Sequence, residues 1–373
     1  MFDILLDPYN YPFWIMVCFI FVGIAYVMGR PFLTYVKFNY PNAKFEAMGN
    51  PFISEQQLSS ILENKDIESF KESFQNNKDY DISGDDVFSI QQSLDDSFVS
   101  TLLMMKKDSS KSMKEFFDVY IQNLDSYIVK HAILNFLRDK KDRINPNDAH
   151  AEKTKLFLEK IRQVESDDIS HLLKEYGISK DSISIIAKEF DQPLVLDSIF
   201  NKYIIQRLSV VSVPYKCEQI KQQFIKILLD CIHIRLLLRC KQLQVSEEFC
   251  KKIFISEGLE IAVWKFNELA ELDNVTAIIS SLEGTSFFRF LKDNIEQYNK
   301  EQSVQVFEVG LDKYFLDRMK DLSIQYYSSL GPTLRFLISK EFEIKNLKII
   351  VKGIYEDVSK QYLKRLLVWE VKS

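Results

Sequence analysis

Hydrophobic and polar positions divide the chain into a short apolar front and a long amphipathic body. The front is a run of nineteen residues without a charge, Tyr11–Gly29. In the body, apolar residues recur at the i, i+3, i+4, i+7 spacing of a helix, for example at Leu347, Ile350, Val351 and Ile354. Only four prolines follow Pro51, and no convincing alternating run of apolar and polar residues is present. The pattern therefore predicts an all-α body.

The apolar front predicts one transmembrane helix. At 1.5 Å per residue it would span about 28 Å, close to the hydrocarbon thickness of about 30 Å. A cleaved signal would begin with basic residues, but only Asp3 and Asp7 carry charge before the run. A buried core helix would show polar residues on one face, and this run has none. The predicted membrane-anchor residues are Tyr11, Trp14, Phe21 and Gly29.

The charges that follow the run predict its orientation. Arg30, Lys37 and Lys44 come after it, and no Lys or Arg comes before it. Basic residues accumulate on the cytoplasmic side of a membrane span. We therefore expect a single N-terminal span with the N-terminus outside and the body on the cytoplasmic face.

A pattern of charges recurs three times along the body. Each copy has an acid, a basic residue five positions later and an apolar run: Asp125 with Lys130, Asp230 with Arg235, and Glu343 with Lys348. The acids are 105 and 113 residues apart. A second pattern recurs too, because Asp66-Ile67 and Asn274-Val275 precede apolar residues at matching spacing. A period near 110 residues exceeds the ~34 to ~47 residues of common helical repeat units and predicts three similar lobes.

We predict an N-terminal transmembrane anchor and link at residues 1–38, then three helical lobes in a pseudo-threefold arrangement. The lobes are predicted at residues 39–145, 146–250 and 251–373. The polar stretch 138–153, which contains Pro146, supports the first boundary. The repeated charges could face a partner or tie helices together within a lobe, and the sequence leaves both interpretations open.

The composition argues against several classes of function. No two of the ten glycines lie closer than six residues, so no phosphate-binding loop can be formed. The five cysteines form no C-x-x-C pair, and the net charge of −5 argues against a nucleic-acid binder. His131 lies on an apolar helical stripe, and we expect it to be packed. We predict no catalytic residue, metal, cofactor or small-molecule substrate.

Two short motifs resemble those of a known family. The first is Tyr40-Pro41-Asn42-Ala43-Lys44, which resembles the opening motif of the C subunit of the archaeal-type (A-type) rotary ATP synthase. Its counterpart in the vacuolar ATPase is the d subunit. The second motif contains Glu343, Asn346, Leu347 and Lys348, and it is similar to the acid-x-x-Asn-Leu-basic signature that closes the family's third lobe. The resemblance covers roughly residues 39–373.

The sequence departs from the family at a few positions. Glu46 stands where the family usually has a second basic residue, and the positions matching Asn346 carry Ile128 and His233. The N-terminal membrane helix is not universal in the family.

The resemblance implies a non-catalytic central-stalk subunit in the rotor of a proton-translocating ATP synthase. Members form a funnel of three lobes, and the partners expected here are the proteolipid (c/K) ring in the membrane and the central-shaft subunits of the D/F type. A rotating cap with a membrane helix suggests that this helix lies in the pore of the ring. A membrane-tethered all-helical scaffold for another cytoplasmic complex, or an enzyme with an unfamiliar all-α site, is an alternative.

Overall fold

The computed structural model describes residues 11–48, 55–74, 80–164, 168–190, 192 and 194–369. Within these ranges the regular structure consists of α-helices and short 3-10 turns, without a strand, which confirms the all-α prediction. The helices in the first part are α1 (Tyr11–Ala47), α2 (Glu55–Leu62), α3 (Ile67–Glu72), α4 (Val87–Asp108), α5 (Lys114–Leu124), α6 (Ser126–Leu137), α7 (Glu152–Gln163), α8 (Ile169–Tyr176) and α9 (Lys180–Glu189). The remaining helices are α10 (Val195–Val210), α11 (Glu218–Gln242), α12 (Glu247–Lys252), α13 (Val263–Glu271), α14 (Val275–Ser281), α15 (Phe288–Leu291), α16 (Ile295–Glu301), α17 (Gln305–Gln325), α18 (Leu330–Tyr355) and α19 (Lys360–Leu366).

The long helices of the body pack in a closed order. Three sets of consecutive helices pack together. The first set is α4 with α5 and with α6, which follows α5 directly. The second set is α10 with α11, and the third is α17 with α18. Between the sets, α5 and α6 pack on α10, α11 packs on α17, and α18 packs back on α4. Each of the three predicted lobes contributes one set. The lobe boundaries and the pseudo-threefold arrangement stay predictions.

Aromatic rings from all three sets meet in one continuous core. Phe116 of α5 lies 6.1 Å from Phe224 of α11, measured between ring centroids. Phe224 lies 5.9 Å from Phe315 of α17, which lies 6.5 Å from Phe342 of α18. All four side chains are buried. Burial of a phenylalanine contributes roughly 1.5–3 kcal/mol, so these contacts tie the sets together at their centre.

Helix α1 has two halves with different surroundings. Residues 11–33 contain no buried side chain. The docked half, residues 34–47, presents one buried stripe to the body: Thr34, Phe38, Pro41, Asn42 and Phe45. By length and composition α1 qualifies as a membrane span.

The segment that links the anchor to the first lobe is helical. Pro31 and Pro41 both lie inside α1, so one helix runs through the link without a break. A proline within a helix removes one backbone hydrogen bond and strains the preceding turn. The contacts of the docked half with the body offset this cost at Pro41, so α1 continues to Ala47.

The expectation that His131 is packed in the core is wrong. Its side chain is exposed and contacts the ring of Tyr127, with 4.2 Å between ring centroids. The buried stripe of α6 is formed by other positions: Val129, Ala132, Ile133 and Phe136. His131 and Tyr127 lie on the exposed side of the helix.

Candidate functional site

The three repeated basic residues all form ion pairs between helix sets. Lys130 Nζ lies 2.5 Å from Asp197 Oδ1, and Arg235 Nη2 lies 2.7 Å from Asp312 Oδ1. In the third pair, Lys348 Nζ lies 2.6 Å from Asp95 Oδ2. We call these three pairs the ion-pair belt.

In each pair of the belt, the basic residue reaches from its own helix set to the next set, in the same direction around the body. Lys130 on α6 reaches α10 in the second set, and Arg235 on α11 reaches α17 in the third. Lys348 on α18 returns to Asp95 on α4 in the first set and so closes the belt. The sequence left open whether these charges face a partner or tie helices together within a lobe. In the structure the basic residues instead tie one helix set to the next.

Further charges reinforce the contact between the second and third sets. Arg239 of α11 binds Glu308 of α17 through two nitrogens, at 2.5 and 2.8 Å. Within the third set, Lys345 of α18 pairs with Asp312, the partner of Arg235. Most of these side chains are partly exposed, and exposed ion pairs contribute only about 0.2–1 kcal/mol each. Their main effect is to fix the orientation of one set relative to the next.

All three repeated acids are buried, and two of them hold loops. Asp230 accepts backbone N–H bonds from Leu259, Glu260 and Ile261 at 3.0–3.1 Å. Burial raises the pKa of Asp230 to about 6, although these N–H groups act in the opposite direction. Gly258 approaches so closely that a Cβ there would lie 1.8 Å from Asp230 Oδ1. A glycine is therefore required beside this carboxylate.

Asp125 acts in the same way in the first set. It accepts the N–H of His150 at 3.0 Å and that of Ala151 at 2.7 Å. Glu343 differs, because it accepts a hydroxyl from Tyr80 and lies 3.1 Å from the Lys340 ammonium. The three acids thus share burial, and two of them share a loop-holding role.

The residue three positions after each acid also binds a loop in the second and third sets. His233 Nε2 accepts the N–H of Ile255, and Asn346 exchanges two hydrogen bonds with the backbone of Val368. Both partners lie 22 residues downstream. Burial lowers the pKa of His233 to about 4, so the ring is neutral at pH 7.

Ile128, the matching residue in the first set, has no polar side-chain atom for such a bond. The loop there is held instead by a histidine on the loop itself. His150 lies 22 residues after Ile128, and its Nδ1 is 3.0 Å from Asp125 Oδ1.

Three loops connect the helices within the sets, and we call them the junctions: 108–114, 210–218 and 325–330. The docked half of α1 contacts all three. The hydroxyl of Thr34 donates to the carbonyl of Tyr215 at 3.1 Å, in the second junction. Lys44 Nζ lies 2.6 Å from Asp108 Oδ2, in the first.

At the third junction, the Asn42 amide donates to the carbonyls of Tyr327 and Ser329, at 3.2 and 2.9 Å. Its carbonyl oxygen accepts the Thr333 hydroxyl at 2.9 Å. The ring of Phe45 stacks on Phe336 with 4.8 Å between centroids. Because Asn42 is buried and bonded on both sides, it fixes α1 to the start of α18.

No group of three or more metal-binding side chains occurs among the residues that the structure describes. A cleft of about 440 Å³ beside the Lys348–Asp95 pair includes His131 and His150 in its lining. That lining contains no serine, threonine or cysteine, so the cleft offers no such nucleophile for the histidines to activate.

Residues 41–366 match the family model of the ATP synthase (C/AC39) subunit. The chain belongs to this family. It is 25% identical over 343 residues to the A-type ATP synthase C subunit of Methanosphaera stadtmanae, in an alignment that covers 88% of this chain and 87% of the relative. It is 26% identical over 357 residues to the A-type ATP synthase C subunit of Pyrococcus horikoshii, covering 93% and 95%. The resemblance inferred from the two motifs is therefore confirmed.

In this member of the C/AC39 family the two motifs have different surroundings. Asn42 and Lys44 hold α1 to the junctions, whereas Tyr40 is exposed and Ala43 is exposed beside them. In the second motif Leu347 is fully buried in the core. The roles of the motif residues in assembly stay predictions.

Sequence reasoning missed the acids that complete the ion-pair belt: Asp95, Asp197 and Asp312. They are 102 and 115 residues apart, close to the period of the basic residues that they bind. A search for acids at the repeat period would have found them. The predicted anchor residues Tyr11, Trp14 and Phe21 lie exposed on the undocked half of α1, and Gly29 is partly buried.

Proposed function

We propose that this chain is the non-catalytic central-stalk subunit in the rotor of an archaeal/vacuolar-type proton-translocating ATP synthase. It would couple the proteolipid ring in the membrane to the central-shaft subunits of the D/F type. Membership of the ATP synthase (C/AC39) subunit family supports this proposal. The observation that carries it further is that α1, which is apolar and long enough to cross a membrane, docks on all three junctions.

The ion-pair belt supports a mechanical role. A subunit that transmits torque must resist relative movement of its parts, and interfaces packed like an organic solid supply that resistance. Here the aromatic core joins the helix sets at the centre, and the belt joins each set to the next. The proposed lobes 39–145, 146–250 and 251–373 would form the three walls of a funnel around the shaft.

The end of the body that carries the junctions is the proposed contact surface for the ring. Three large apolar side chains are exposed there: Val210 is 76% exposed, Ile324 67% and Tyr327 59%. Exposed apolar side chains next to a membrane-spanning helix suit contact with the loops of membrane subunits. The N-terminus would then lie outside, with the body on the cytoplasmic face.

An affinity tag on the full-length chain tests the proposal in its native membrane. We expect the proteolipid and the nucleotide-binding head subunits to co-purify with it. A photo-crosslinking residue, p-benzoyl-phenylalanine, placed at Val210 should become linked to the proteolipid. Deletion of the gene should abolish ATP-driven proton pumping, and the full-length chain should restore it.

A membrane-tethered scaffold for another cytoplasmic complex is the second candidate, since it would use the same α1 and the same body. It predicts a different set of co-purified proteins. It also predicts that ATP-driven proton pumping persists after deletion, a result that would contradict the coupling role.

A further inference from the structure

We propose that the undocked half of α1, residues 11–33, lies inside the proteolipid ring on the rotation axis and contacts the ring's inner wall. We call this part the axial segment. The inference rests on the proposed function and adds to it a position and a partner for the axial segment.

The first argument is where α1 leaves the body. The docked half touches all three junctions, through Thr34, Asn42 and Lys44. The first two junctions also lie close to each other, since Arg207 near the second lies 3.6 Å from Glu115 next to the first. Because each helix set contributes one junction, the docked half lies where the three sets converge, and α1 leaves the body beside the second junction, at Thr34. If the sets are related by the proposed pseudo-threefold axis, the helix leaves close to that axis.

The second argument is that the connection has no hinge. Helix α1 is continuous from Tyr11 to Ala47, through Pro31. Arg30 lies at the surface of the body, with its guanidinium 5.3 Å from the ring centre of Tyr215 in the second junction. The uncharged run therefore begins within one residue of the body. A helix fixed in this way must turn with the body.

The third argument is the chemistry of the axial segment. Its uncharged part, Tyr11–Gly29, extends about 28 Å, close to the thickness of the hydrocarbon layer. Large apolar side chains are exposed all around it, including Trp14, Phe19, Phe21 and Ile24. A helix that is apolar on every face requires apolar surroundings on every face. The interior of a membrane ring provides them.

Rotation decides between the inside and the outside of the ring. A helix fixed to a rotating body at a distance from the axis would travel through the lipid and strike the stationary membrane subunit on each turn. A helix on the axis turns in place. The inner wall of the ring is therefore the partner to which we assign the axial segment.

Native Cys18 provides a test in the complete complex. It is the exposed cysteine of the chain, whereas Cys217, Cys231, Cys240 and Cys250 are buried. A cysteine is introduced into the proteolipid at the depth of Cys18, either on its inward-facing or on its outward-facing helix. We expect disulfide cross-linking to the inward-facing position only, with one proteolipid captured per chain, and the Cys18→Ser variant should give no cross-link.

Cross-linking to the outward-facing position or to the stationary membrane subunit would overturn the inference, and so would the absence of any cross-link. Cross-linking from the photo-crosslinking residue at Val210 to the proteolipid is measured in the same preparation. If Val210 is linked to the proteolipid while Cys18 is not, the axial position is wrong and the coupling role stands. If neither is linked and the complex does not co-purify, the proposed function itself is wrong.

Discussion

At the residue scale, the residue three positions after the repeated acid determines how the loop 22 residues downstream is held in the second and third sets. His233 and Asn346 both bind the backbone 22 residues downstream, but only the histidine can change its charge near neutral pH. Among the residues that the structure describes, the buried Nδ1 of His233 has no hydrogen-bond partner. Because Nε2 accepts a bond, the neutral ring carries its proton on that unpaired nitrogen. Protonation would add a charge inside the core, which burial strongly disfavours.

This difference predicts a pH dependence of stability. The pKa of His233 is lowered from 6.5 to about 4, so between these values the unfolded chain binds a proton that the folded chain does not. The contribution of His233 to the free energy of unfolding should fall as the pH drops through this window, by up to about 1.4 kcal/mol per pH unit, whereas Asp230, whose pKa is raised to about 6, contributes in the opposite direction. The His233→Asn variant, which copies Asn346, should lose this dependence. Denaturant unfolding in detergent at pH 7, 6 and 5 measures it.

His171 provides the matched control, because its side chain is exposed. The His171→Asn variant should keep the pH dependence of the unmodified chain. Equal slopes for all three proteins would show that His233 is not responsible. The His233→Asn variant can be less stable at pH 7, since its smaller side chain leaves part of the ring's volume empty.

At the element scale, α1 is one helix whose two halves differ in their contacts. Its docked half is bonded to the junctions, whereas residues 11–33 bury nothing against the body. A chain that begins at Thr34 should therefore unfold at nearly the same temperature as the full-length chain, since it loses the contact of Arg30 with Tyr215 but no buried side chain. A chain that begins at residue 48 should unfold at a lower temperature, because it loses the bonds of Asn42 and Lys44 and the stacking of Phe45 on Phe336.

The unfolding temperature of both truncated chains is measured by circular dichroism. The Asn42→Ala variant of the chain that begins at Thr34 measures the contribution of the buried amide alone. That change should cost about 1–3 kcal/mol, since it leaves buried polar partners unpaired. A large loss of stability on removal of residues 11–33 alone would contradict the division of α1 into two halves.

The sequence predicted that these elements are helices better than it predicted where each helix begins and ends. The uncharged run and the helical periodicity identified α1 and the body, because both depend on neighbouring residues. The end of α1 was not predictable, because Pro31 and Pro41 normally end a helix. What keeps the helix intact at Pro41 is contact with residues nearly 300 positions away, such as Ser329. Local sequence contains no information about such contacts.

At the scale of the whole molecule, the ion-pair belt joins residues that are far apart in sequence. Lys348 and Asp95 are separated by 253 positions. The repeat period identified the three basic residues. The repeated acids precede them by five positions, which is not a pairing distance on a helix, so the sequence suggested no partner. The partners became visible only when the helix sets were placed beside one another.

We expect the belt to matter more for coupling than for stability. Its three pairs should together contribute only about 1–3 kcal/mol, because they are partly exposed. The triple variant Lys130→Gln, Arg235→Gln, Lys348→Gln should therefore fold, and its complex should still hydrolyse ATP. Proton pumping per ATP hydrolysed should fall, since the sets can then shift against each other. Pumping and hydrolysis are measured together in reconstituted vesicles.

A matched triple variant controls for the loss of charge: Lys160→Gln, Lys252→Gln and Lys352→Gln. Each of these lysines pairs with an acid close to it in the sequence. Lys160 pairs with Glu175 on the next helix and Lys252 with Glu248 on its own helix. Lys352 pairs with Glu356, just beyond the end of its helix. The control should pump normally. Equal loss of pumping in both variants would show that total charge, and not the belt, is responsible.

The continuity of α1 has a consequence for measurement. Its 37 residues form a rod about 55 Å long, without a flexible joint between its tip and the body. Twist applied at one end of such a rod reaches the other end. A fluorescent dipole held rigidly near Tyr11 would therefore change its angle in step with the body. In the proposed position on the axis of the ring, that dipole would report the speed of rotation from the far side of the membrane.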